Sequence, residues 1–267
     1  MRYCRFQLQG QAEYGLIESI AGHDEITRLF LEPPDQGTDP EDLHTKAITR
    51  TPLAAAALLA PVRPSKIVCV GRNYRAHAAE LGNEPPQEPL LFLKPPSALL
   101  APCGIIVRPR ISERTDFEGE LGVVVGKTCH KLTSKDDVRG YILGYTALND
   151  FTARDLQKKD GQWTRAKGFD TFCPVGPLVN SEVDPWVGVT VETRVNENRR
   201  QRGNTRDFIF PLDVVIRYIS TVMTLLPGDL IATGTPEGVG PVVAGDVIEV
   251  TVEGVGTLRN KVADEHS

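Results

Sequence analysis

The chain has 267 residues, 40% hydrophobic and 24% charged, which is enough apolar mass for a packed core in one large domain or two unequal ones. Its 24 glycines and 20 prolines, about one residue in six, exceed average usage and favour strands and turns; disorder, collagen and coiled coil are excluded. The net charge of −5 comes from 30 basic and 35 acidic residues and includes no basic stripe to track a nucleic acid.

From the amino terminus, Tyr3–Leu8, Glu13–Ser19 and Glu25–Leu31 read as short strands. A polar connection follows over residues 32–40. The longest nearly apolar run, Leu53 to Ala60, has 8 residues, far below the ~20 that span a bilayer. Polar residues between Gln7 and Glu13 interrupt any leader-like apolar region, so no signal peptide is expected. Cys4, Cys69, Cys103, Cys129 and Cys173 are scattered without a C-x-x-C pair. They are expected to be reduced and mostly buried, in a cytoplasmic protein. A small N-terminal subdomain is expected at 1–60 and the main domain at 61–267.

In the main domain, Pro64–Gly71 reads as a buried strand closing on glycine, with Leu121–Val125 and Tyr141–Leu148 as further strands. Val189, Val191, Thr193 and Val195 alternate with more polar neighbours up to an Asn196-Glu197-Asn198 turn. The basic run Arg199-Arg200-Gln201-Arg202 after it reads as a solvated loop. Leu212, Val215, Ile216, Ile219, Met223 and Leu226 recur at helical spacing until Pro227-Gly228 stops them. Val247–Val252 and Gly256–Val262 flank Glu253-Gly254 as a hairpin.

The most informative segment is Asp116-Phe117-Glu118-Gly119-Glu120, which leads into an apolar run. On a strand, side chains two apart share a face, so Asp116, Glu118 and Glu120 would project together. Carboxylates ~4 Å apart repel by about 4 kcal/mol at an effective dielectric near 20. Near a core they need protonation or a cation, and oxygen-only donors suit a hard ion. The plain alternative is a solvated edge. Asp150, at the end of the 141–148 strand, could complete a carboxylate triad. Beyond it, Thr152 or Asp155 could cap a short helix. His77 and Glu80 are three apart, so on a short helix they share a face: a carboxylate-oriented general base, or an ordinary surface pair. The loop Gly234–Gly240 offers backbone N–H groups to an anion, but without G-K-[ST] it is not a nucleotide P-loop.

Four blocks together resemble the fumarylacetoacetate hydrolase family: Gly71 through Glu80, Asp116 through Gly126, Asn149 through Gln157, and Gly234 through Gly240. Leu93-Lys94-Pro95 and Lys167-Gly168-Phe169-Asp170 accompany them, so the resemblance spans residues 66 to 262. It implies a mainly β fold with few helices, a twisted mixed β-sandwich roll, with residues 1–60 as a small β appendage. It also implies a homodimer with one Mg2+ or Mn2+ per subunit, held by Glu118, Glu120 and Asp150. Asp116 falls outside that ligand set. In the small members the His77–Glu80 pair sits on a closing lid and activates water, here within residues 77–88. Lys167 matches the lysine that reaches the substrate, Arg154 and Gln157 match contacts to substrate oxygens, and Thr235 matches the contact to the substrate carboxylate.

The expected activity is on a small 2-oxo acid: C–C hydrolysis of acylpyruvates or decarboxylation of oxaloacetate, through a pyruvate enolate on the metal. The alternatives are a 2-hydroxyhepta-2,4-diene-1,7-dioate isomerase or oxo-hexenedioate decarboxylase, and, from a different class, a non-catalytic metal-stabilised binding protein. No nucleic acid or membrane partner is expected.

Overall fold

The computed structural model describes residues 1–34, 44–80, 82 and 84–265. Residues 35–40 of the expected polar connection lie outside them, as do residues 81 and 83 of the expected lid. Among these described residues strands dominate, in three sheets. The largest runs from edge to edge through Thr45–Pro52, His23–Phe30, Gln11–Ile20, Arg2–Leu8, Cys173–Asn180, Ile142–Asn149, Gly119–Val125, Leu230–Ala232, Ile67–Gly71 and Leu90–Lys94. Along this path only Ile67–Gly71 and Leu230–Ala232 are parallel, which makes the sheet mixed, as expected. The N-terminal meander joins it where Tyr3 pairs with Val179.

A five-stranded sheet of Asn198–Asn204, Thr190–Val195, Val247–Val252, Gly256–Asp264 and Ile105–Arg108 packs on the middle of the first. Gly119–Val125 is buried along its whole length because both of its faces are covered. Leu121 and Val123 share a core with Val191 and Val250, while Val124 packs with Leu148, Val175 and Leu230 in another. A Cβ at Gly119 would lie 2.0 Å from Thr193 Oγ1, so only glycine fits between Glu118 and Glu120. Asn196 and Glu197, both at positive φ, turn the hairpin that pairs Val195 with Asn198. Among the described residues no helix is long and apolar enough to cross a membrane. Cys4, Cys69, Cys129 and Cys173 are buried and Cys103 is exposed, all as free thiols.

Two expectations change. The long helix is Leu212–Val222 and stops short of Leu226, because Met223 is extended and Leu225 pairs with Cys129. Bridging to a neighbouring segment replaces a last helical turn. The arginine-rich run is part of the strand Asn198–Asn204, in which Gln201 alone is buried. Strand alternation turns the arginines on either side of Gln201 outward.

Candidate active site

The site lies where strand ends converge at one edge of the large sheet. Gly119–Val125 begins opposite the end of Ile142–Asn149, with Gly119 facing Asn149. Ile67–Gly71 and Leu230–Ala232 end side by side next to them. The helix Arg75–Glu80 follows the first of these and the loop 234–240 follows the second. Together they surround a cavity of about 550 Å³. Its lining includes His77, Glu80, Glu118, Glu120, Asp150, Arg154, Gln157, Lys167 and Thr235 from the sequence analysis, and not Asp116.

Glu118, Glu120 and Asp150 are buried, with one carboxylate oxygen of each within 4.8 Å of the others. Asp116 does not share their face. The strand breaks at Glu118, and Thr115–Phe117 belongs to a separate sheet with Thr152–Ala153 and Gly240–Pro241. Asp116 instead accepts from Arg114 at 2.9 and 3.1 Å and from Arg154 Nε at 2.9 Å.

Cations surround the acids. Lys94 Nζ donates to Asp150 Oδ1 at 2.6 Å and to the Phe151 carbonyl at 3.1 Å. Lys167 Nζ donates to Asp150 Oδ2 at 2.5 Å and to Glu118 Oε2 at 2.9 Å. Arg154 Nη2 donates to Glu118 Oε1. Burial opposes the charge of Glu118, but Lys167 and Arg154 outweigh it and hold this carboxyl below its usual range. Burial likewise opposes the charge of Lys167, and Asp150 and Glu118 hold its ammonium above its usual value. Glu120 goes the other way. Burial and the negative charges of Asp150 and Glu118 push it well above the carboxylate range. Its one hydrogen bond among the described residues comes from the Gly234 N–H at 2.7 Å.

This donor set fits a divalent hard cation. Three converging carboxylates include one, Glu120, that has a single donor and is repelled by its neighbours. Each lysine or arginine takes one lone pair of an oxygen and leaves the other for a metal.

His77 is buried, and its Nδ1 lies 3.3 Å from Glu80 Oε2 across the six-residue helix. The Gly238 N–H donates to both oxygens of Glu80, at 3.0 and 3.2 Å, so the loop fixes the acid that orients the imidazole. With Gly234 and Gly238 both donating to protein carboxylates, two N–H groups of the loop face acids of the chain itself and are not free for a bound anion. Arg154 Nη1 donates to Gln157 Oε1 at 2.6 Å. The Thr235 hydroxyl donates to the Gly119 carbonyl at 2.9 Å and accepts from Gln201 Nε2 at 2.7 Å.

Neither cap candidate holds. Ala153 occupies the N-cap of Arg154–Asp160, Thr152 donates to the Asp150 carbonyl, and Asp155 accepts from Ser112 and Glu113. Lys94 and Gln201 join the site without a role legible in their own stretch of sequence. A charge ending the apolar run Leu90–Lys94 was the available signal for Lys94, since a buried lysine demands a partner.

A family model described as fumarylacetoacetate (FAA) hydrolase C-terminal matches residues 66–263, and one described as Rv2993c-like, N-terminal, matches residues 1–61. Oxaloacetate tautomerase YisK of Bacillus subtilis is 42% identical over 92% of this chain and 86% of its own. The crystal structure of 5-carboxymethyl-2-hydroxymuconate delta-isomerase from Mycobacterium smegmatis superposes with a TM-score of 0.89 at 40% identity, covering 99% of this chain and 100% of that one. Fumarylpyruvate hydrolase from Pseudomonas aeruginosa, in complex with Mn2+ and pyruvate, matches with a TM-score of 0.71 at 34% identity, over 77% of this chain and 91% of that one.

Proposed function

The chain belongs to the fumarylacetoacetate hydrolase family, and from that premise we propose that it is a divalent-metal-dependent enzyme acting on a small 2-oxo acid. The reactions that fit are C–C hydrolysis of an acylpyruvate and decarboxylation of oxaloacetate. The observation that carries this reading is the buried triad Glu118, Glu120 and Asp150, with Glu120 repelled by its two neighbours and held by one N–H. These residues would hold one Mg2+ or Mn2+ per subunit. When bound, such an ion supplies Lewis-acid polarisation of the carboxylate and keto oxygens of a 2-oxo acid.

The chain's own groups do the rest. His77, with Nδ1 turned to Glu80, takes a proton from the water that attacks the distal carbonyl. Lys167 and Gln157 orient the attacked or departing group, Arg154 contacts substrate oxygens, and Thr235 receives the substrate carboxylate. Loss of CO2 from oxaloacetate needs no water nucleophile, so it depends less on His77 and Glu80. The Pseudomonas hydrolase with Mn2+ and pyruvate and the Bacillus oxaloacetate tautomerase support the substrate class. The mycobacterial isomerase, matched over nearly the whole chain, favours a second reading: isomerisation of a hydroxylated dienedioate.

Acetylpyruvate, oxaloacetate and a 2-hydroxydienedioate assayed side by side with Mg2+ and Mn2+ separate these readings. Metal that raises thermal stability without turnover of any of the three would instead favour a binding protein. The homodimer and cytoplasmic location belong to the same proposal, and light scattering tests the dimer.

A further inference from the structure

Gln201 lies outside every motif of the family resemblance, on a strand whose flanking residues Asn198, Arg199, Arg200 and Arg202 are exposed. Only 1% of it is accessible. Its amide makes bonds on both sides of the cavity: Oε1 accepts from the Gly119 N–H at 3.0 Å, and Nε2 donates to Thr235 Oγ1 and to the Pro236 carbonyl, each at 2.7 Å. The partners fix the orientation of the amide. A backbone N–H can only donate and a carbonyl can only accept, so Oε1 must face Gly119 and Nε2 must face Pro236. Both Nε2 hydrogens are then committed, one of them to Thr235. The Thr235 hydroxyl must accept there, so its single proton is left to donate: to the Gly119 carbonyl as it stands, and to a substrate carboxylate when that replaces the carbonyl as acceptor. Donation into Oγ1 also polarises that O–H and strengthens it as a donor.

We propose that Gln201 is a positioning residue. Acting through Thr235 and Pro236, it sets the direction and donor strength of the Thr235 hydroxyl and holds the 234–240 loop against the strand that carries Glu118 and Glu120. This rests on the reading that Thr235 meets the substrate carboxylate. Gly238 in the same loop has positive φ, and a Cβ there would lie 2.0 Å from the Arg200 carbonyl, so loop and strand touch along their length. Of the common side chains, only a primary amide supplies an acceptor and two donors on one planar group, and asparagine is one carbon shorter. Glutamate would turn an acceptor toward Pro236 and Thr235.

The test uses the full chain in three forms: wild type, Gln201→Met and Gln201→Glu. The glutamate variant keeps an acceptor for Gly119, loses the amide donors and brings a buried carboxyl, whereas methionine is uncharged and of similar length, so each variant covers the case in which the other fails to fold. Mn2+ affinity and oxalate affinity of the Mn2+-loaded protein are read by calorimetry, and KM and kcat on the best 2-oxo acid by assay. The expected result is a roughly tenfold weaker oxalate Kd and KM, the scale of one lost hydrogen bond to a charged group, with Mn2+ affinity and kcat within about threefold. In a Thr235→Val background, the Gln201 substitutions should add little further loss of oxalate affinity, because the pathway is already cut. Loss that adds in full, or a lowered Tm with oxalate binding unchanged, overturns the positioning role and leaves the proposed activity standing. Failure of the wild type to bind both Mn2+ and oxalate overturns both. If the wild type binds both but turns over no 2-oxo acid, the activity falls while the oxalate affinities still decide Gln201.

Discussion

Two buried carboxylates in this fold have opposite surroundings. Asp229, fully buried, accepts from the Ser65 N–H and hydroxyl, the Lys66 N–H, the Lys66 ammonium at 2.5 Å and the Leu226 N–H. Glu120, almost equally buried, accepts from one N–H and faces two other acids. The first arrangement is a fastener: its lone pairs are filled, and it ties the turn before Leu230–Ala232 to the start of Ile67–Gly71. The second leaves a repelled carboxyl with a single donor, to be settled by a proton or by a cation. Burial alone therefore does not mark a functional acid; the mismatch between its charge and its donors does.

The most severe way to break this contrast is Glu118→Ala. It should remove turnover of every 2-oxo acid together with the Mn2+-induced rise in Tm, and full turnover in this variant would sink the metal assignment. Next, His77→Ala should cost roughly 10²–10⁴-fold in acylpyruvate hydrolysis and clearly less in oxaloacetate decarboxylation. Equal losses in the two assays would remove the water-activating role. Third comes the comparison itself, read by denaturant unfolding of the metal-free protein. Asp229→Ala strands a lysine and several N–H groups, an expected loss of about 3–5 kcal/mol. Glu120→Gln removes a repelled charge and should leave the metal-free protein as stable or more so. Comparable destabilisation by both would erase the distinction.

The smallest effect is on pH dependence. Glu118 is held low when folded, so its contribution is present above the ordinary carboxylate pKa and is lost as pH falls through the folded value. Glu120 is held high, so its contribution is present below its unfolded pKa and is lost as pH rises through the folded value. Without metal, Tm should decline as pH rises from the ordinary carboxylate pKa through the folded Glu120 value and level off above it. Mn2+ should flatten that decline and release protons on binding, seen as a buffer-dependent calorimetric enthalpy. Glu120→Gln should abolish the decline, and its persistence there would assign it to another group.

Much of this was legible in the sequence because the signals are local. The apolar run 121–125, the alternation ending at Val195 and the glycines of 234–240 each occupy one stretch of chain. The triad was legible because two of its members flank one glycine and the third follows a strand. What stayed hidden depends on distant partners. Nothing near Lys94 announces Asp150, 56 positions on, and nothing near Gln201 announces Gly119 or Thr235. Asp116 misled because alternation assumes an unbroken strand, whereas the chain changes sheets at Glu118. The 212–226 helix misled because the periodicity persists after the backbone has turned to pair with Cys129.

The parallel pairing of Val68 with Ile231 also bears on when the site can exist during folding. The neighbouring strands 119–125 and 142–149 are close in sequence and can pair early, bringing Glu118, Glu120 and Asp150 together. The Gly234 N–H that holds Glu120 arrives only when Leu230–Ala232 pairs with Gly119–Val125, 114 positions from Glu120 to Gly234, and the strand leading to the His77 helix docks on Leu230–Ala232 across a still longer stretch of chain. Long-range parallel closure is entropically slow. A nascent chain would thus own its three acids before it owns His77 and the loop that complete the pocket, so the assembled cavity is a late event in the life of the chain.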